Sequence, residues 1–75
     1  MMSRCTAIKK LATETYNQYA CYGNVIKDAT LASLKAQKTF VEKDVLLSDK
    51  EREDMRLYIT TYIVEILLYE YLESN

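Results

Sequence analysis

The chain has 75 residues, 49% of them hydrophobic and 28% charged, with a formal net charge of −1. That balance excludes a disordered or low-complexity chain, and the length confines it to one domain. It also lies where a single chain rarely builds an adequate core without disulfides, metal or a second subunit.

Metal is disfavoured by the absence of histidine and by having only two cysteines, Cys5 and Cys21. Two isolated cysteines do not make a zinc set. On one straight helix they stand roughly 24 Å apart at about 1.5 Å per residue, beyond the ~7 Å reach of a disulfide. Self-association is the remaining means of support. Unpaired cysteines and the lack of a secretory signal predict a cytoplasmic protein. One glycine and no proline argue against hairpins, long loops and phosphate-cradling turns.

The first predicted helix runs from Ser3 to about Tyr22. Cys5, Ile8, Leu11, Ala12, Thr15, Tyr16, Tyr19 and Tyr22 share one face at helical spacing. Lys9, Lys10, Thr13, Glu14, Asn17 and Gln18 take the other, which makes the helix amphipathic. Cys21 belongs to that polar side. Gly23 supplies the permissive backbone of a helix end, and Asn24 is suited to cap the helix that follows.

The second helix is predicted from about Val25 to Lys43. One face carries Val25, Ala29, Ala32, Ala36 and Phe40, and its alanines would let another helix approach closely. The other side carries Leu31, Leu34, Val41 and Val45, interrupted by Lys27 and Lys38, whose stems can cover apolar surface. Asp44 to Leu47 reads as a short connection, although nothing there forbids helix 2 from continuing.

Ser48-Asp49-Lys50-Glu51 forms a capping box and opens the third and longest helix, over about 49–72. Asp49, Glu51, Glu53 and Asp54 place negative charge where the helix dipole favours it. From Leu57 to Leu72 only Glu65 and Glu70 are charged. Met55, Tyr58, Ile59, Tyr62, Ile66 and Tyr69 form one stripe, while Leu57, Val64, Leu68 and Tyr71 lie on roughly the opposite face. Apolar residues on both sides mark a helix that is buried or shared with a partner. A membrane span is not expected, because it needs about 20 mostly apolar residues.

These readings predict an all-α fold: a three-helix bundle with a long central C-terminal helix, dimeric, with helices 1 and 2 against one face of helix 3. Leu57, Val64, Leu68 and Tyr71 are the predicted partner or dimer interface. No catalytic residue, cofactor or metal site is expected. Without histidine the commonest general base is missing. The carboxylates near Glu51 and Asp54 sit on an exposed first turn, where nothing raises a pKa. Glu65 and Glu70 are expected either at boundary positions or in contact with basic residues of helix 2.

Charge is unevenly distributed. Residues 1–43 carry +4 and residues 44–75 carry −5. A basic surface of Lys27, Lys35, Lys38 and Lys43, with Tyr16, Tyr19 and Tyr22 nearby, would suit a helix-turn-helix-like nucleic-acid binder. Helix 2 lacks arginine, and a pI near 5.3 lacks the usual basic footprint. The preferred expectation is therefore a non-catalytic interaction or regulatory protein, of the phage- or plasmid-borne kind that modulates a host protein. Its partner would be itself or another protein, with nucleic acid as the alternative.

Overall fold

A computed structural model describes residues 1–74. The protein is all-α. Its elements in chain order are α1 (Arg4–Tyr22), a 3₁₀ turn (Gly23–Ile26), α2 (Lys27–Glu42) and α3 (Asp49–Ser74). Each helix packs against the other two, in a body of 41 × 22 × 14 Å. Among the described residues no helix is long and apolar enough to cross a membrane.

The helix ends follow from local chemistry. Ser3 caps α1, its hydroxyl accepting from the Thr6 N–H at 3.1 Å. Gly23 ends α1 with φ +67° and ψ −146°, a combination that a side chain makes costly. Its N–H donates to the Tyr19 carbonyl. Asn24 does not cap the next helix, contrary to the sequence expectation. A 3₁₀ turn intervenes, and α2 starts at Lys27 without a side-chain cap. The Asn24 amide instead donates to the Glu73 carboxylate at the far end of α3, 2.9 Å away.

The second connection is short, and α2 stops at Glu42. Arg52, on the first turns of α3, donates to the Asp44 carbonyl at 2.8 Å and the Leu47 carbonyl at 2.9 Å. One guanidinium thus satisfies two backbone acceptors in a segment that has no glycine or proline to shape it. The capping box then forms as its sequence dictates. The Glu51 N–H donates to the Ser48 hydroxyl at 3.1 Å, and the Ser48 N–H donates to the Glu51 carboxylate at 2.8 Å. The Ser48 N–H first, and its hydroxyl second, hold the Glu51 carboxyl below its ordinary pKa.

The core is built on Met55, Ile59, Ile63 and Ile66 of α3, with Ala12 and Tyr19 of α1, Leu34 and Val41 of α2, and Leu47 of the connection. Leu34, Ile59 and Ile66 are its largest fully enclosed side chains. Two faces differ from expectation. On α2 the buried row is Thr30, Leu34 and Val41, whereas Ala29, Ala32 and Ala36 are exposed. The alanine face therefore mediates no close helix approach within the chain. On α1, Leu11 and Tyr22 share one edge of the predicted stripe and are exposed. α1 lies so that Thr13 turns toward α3, and the outer members of a wide stripe are left in solvent.

Two ion pairs tie the halves of unlike charge together. Arg4 of α1 donates to Asp44 at 2.5 Å, and Lys27 of α2 pairs with Glu70 of α3 at 2.8 Å. The Arg4 guanidinium is the main reason that the Asp44 carboxyl is held below its usual range. The Lys27–Glu70 pair gives Glu70 the second of its two expected placements, a contact with a basic residue of helix 2.

Candidate interaction surface

α3 has a wet side and a dry side. Met55, Ile59, Ile63 and Ile66 are buried and point toward α1 and α2. Tyr58 and Tyr62 flank them, half-buried, while Tyr69, placed on the same stripe by spacing, is exposed. The stripe leaves the core before the helix ends, because the core residues of α1 and α2 reach no farther than Tyr19 and Thr30.

The opposite side carries the predicted interface residues, and all four are exposed: Leu57 by 48%, Val64 by 54%, Leu68 by 54% and Tyr71 by 66%. Leu67 and Leu72 widen the same strip toward the end of the helix and are also exposed. Positions 57, 61, 64, 68 and 71 alternate steps of four and three. That is the spacing of a coiled-coil seam, in which each side chain inserts between residues of a facing helix. Thr61 and Tyr71 carry its hydroxyls, and that of Thr61 donates to its own helix at the Leu57 carbonyl, 2.9 Å away. The Thr61 hydroxyl therefore makes no demand on water. Sequence reading found four of its members but did not place Thr61 among them.

Between α1 and α3 the structure holds a polar cluster in which Tyr58 and Tyr62 of the expected stripe meet Thr13, a residue expected on the polar face of helix 1. The Thr13 hydroxyl lies 2.7 Å from the Tyr58 hydroxyl and 2.9 Å from that of Tyr62, which are 3.3 Å from each other. Tyr62 stacks on Tyr16 with ring centroids 4.6 Å apart and meets Tyr58 edge-on at 5.4 Å. Lys9 sits over the Tyr58 ring. Burial, reinforced by the neighbouring Glu65 carboxylate, pushes the Tyr16 phenol up to about 12. These groups meet one another's hydrogen-bonding needs and form a joint between helices. The spacing of Tyr58 and Tyr62 pointed to their shared face, but nothing local in the sequence marks Thr13 as their partner.

A second apolar feature is an open groove of about 640 Å³ between the start of α1, the end of α2 and the connection. Leu11, Phe40, Val45 and Leu46 line it and are exposed. The Arg4–Asp44 pair and Lys43 stand among its polar lining.

The lysines weighed for nucleic acid do not form one free surface. Lys27 is engaged by Glu70, and Lys38 is half-buried. Lys35 and Lys43 are exposed. Of the aromatic residues expected nearby, Tyr19 is buried and Tyr16 is stacked on Tyr62, which leaves Tyr22 exposed. Both cysteines are free: Cys21 is exposed, and the half-buried Cys5 thiol approaches Glu51 at 3.5 Å. Among the described residues no group of three or more histidine, cysteine, aspartate or glutamate side chains is gathered to hold a metal ion. Comparison with protein-family models, curated proteins and solved structures finds no match.

Proposed function

We propose that this chain is a small, non-catalytic protein–protein interaction module with a regulatory role, a three-helix bundle that binds through the outward face of α3. The observation that carries this reading is the apolar strip of Leu57, Val64 and Leu68, widened by Leu67 and Leu72 and left in solvent by its own fold. A core helix needs apolar residues on one side only. The second side has no task inside the chain, and half-exposed leucines at heptad spacing suit the groove of a facing helix. Leu57, Val64, Leu68 and Tyr71 are the proposed contacts.

Free cysteines accord with action in a reducing compartment such as the cytoplasm. Occupying a surface of another protein, or of its own copy, is the act such a module performs. The test is affinity capture from a cell lysate with native mass measured on the same sample. Wild type is expected to run as a complex or an oligomer, and Leu68→Glu to release the partner while keeping its helical circular dichroism. A Leu68→Glu chain that retains every partner of the wild type would refute the reading.

A further inference from the structure

We infer that the outward face of α3 is covered by α3 of a second copy of this chain, the two helices running antiparallel about a two-fold axis. The inference rests on the reading of that face as a protein-binding surface and names its occupant.

Two observations select a second copy, and a third sets its direction. The exposed positions 57, 61, 64, 68 and 71 repeat every 3.5 residues on average, the period at which two helices keep one seam in register. The seam thus asks for a helix, and α3 itself supplies one of matching pattern and of 26 residues. A two-fold axis lets one patch serve both subunits, the commonest symmetry of soluble oligomers.

The second observation is area. The chain exposes 5296 Å², whereas a compact monomer of 8.8 kDa exposes about 4800 Å². The excess of roughly 500 Å² approaches the ~600–800 Å² per partner that a small stable interface buries. A dimer across the seam would remove about the surface that the fold leaves over.

The third observation is charge, and it sets the direction. The first half of α3 mixes Lys50, Arg52 and Arg56 with its four acids, while the second half carries Glu65, Glu70 and Glu73 with no cation. Parallel helices would set those acidic halves side by side and align two macrodipoles. Antiparallel helices place each acidic half against the mixed half and oppose the dipoles. Leu57 then lies near the partner's Leu68, and Thr61 near the partner's Val64.

The proposal is tested by sedimentation and native mass of the full chain from micromolar to millimolar concentration. Wild type is expected to form dimers. Leu68→Glu and Val64→Glu, each folded by circular dichroism, are each expected to weaken the dimer at least about 100-fold, because two carboxylates would be enclosed in one seam. Phe40→Glu, on the separate groove, is expected to leave it intact. Direction is read from a spin label at Lys50→Cys in a chain with Cys5→Ala and Cys21→Ala. Antiparallel pairing predicts labels about 40 Å apart, and parallel pairing under about 20 Å.

A short distance, or a dimer broken by Phe40→Glu and not by Leu68→Glu, overturns the proposal. A chain that stays monomeric yet captures another protein through Leu68 overturns self-pairing and leaves the binding reading standing. A monomer with no Leu68-dependent capture overturns both.

Discussion

Replacing Thr13 by valine probes the joint between α1 and α3. Valine keeps the shape of threonine and removes the one hydroxyl that sits within 2.9 Å of both Tyr58 and Tyr62. Each lost hydrogen bond costs about 0.5–1.5 kcal/mol, and the two phenols keep only their own long contact. Both rings are half-buried, so water takes over part of the loss, and the expected cost is about 1–2 kcal/mol. In urea, with a slope near 1 kcal/mol/M for a chain this small, the unfolding midpoint falls by about 1–2 M.

The sharper part of the prediction is a recovery. In the triple variant Thr13→Val, Tyr58→Phe, Tyr62→Phe no polar atom is left stranded, and paired apolar replacements are nearly neutral. The triple variant is expected to regain about half of the lost midpoint or more. Circular dichroism at 222 nm follows both variants at one protein concentration, since any self-association adds stability by mass action. A triple variant less stable than Thr13→Val alone would refute the claim that unmet hydroxyls, and not lost packing, set the cost.

Ser48→Ala removes the acceptor for the Glu51 N–H and is expected to cost about 1 kcal/mol, a fall of roughly 4–8 °C in melting temperature. Gly23→Ala meets open space, with no atom within 4 Å of the added carbon. Its cost is conformational, about 1–2 kcal/mol at this positive φ, and urea titration measures it. Tyr16 supplies a pH dependence. Its folded value, about 12, lies above the ordinary 10, so the contribution is complete below pH 10 and is lost as pH rises from 10 toward 12. Tyr16→Phe should therefore lose less stability than wild type between pH 8 and pH 11, and phenolate absorbance should show one fewer late-titrating tyrosine. Equal losses would refute the assignment.

The parts of the fold legible in the sequence are those with local causes. The capping box of Ser48 and Glu51 is a contact between residues three apart, and Gly23 has the one backbone freedom that the end of α1 requires. Most of the dry face of α3 follows from helical spacing, which nonetheless leaves out the buried Ile63 and takes in the exposed Tyr69. Rotations about helix axes are not local, and there spacing and structure differ. On α2 both faces carry apolar residues, so spacing did not decide between the alanine row and the row of Leu34 and Val41. Long side chains on the second row reach α3 and fill the interior, and the alanines do not. Thr13 was assigned to solvent because polarity was its only local mark, while its partners stand 45 and 49 residues away. The outward seam of α3 was legible as a pattern, since Leu57, Val64 and Leu68 have no counterpart on an ordinary surface helix.

Arg52 changes what the residues between α2 and α3 are for. The clamp that shapes this bend is anchored on the following helix, so Val45 and Leu46 are spared any duty in the architecture. Their side chains stand in solvent, where the bend would tolerate serine or lysine as readily. Evolution of this chain is then free to rewrite both positions without disturbing how the helices cross.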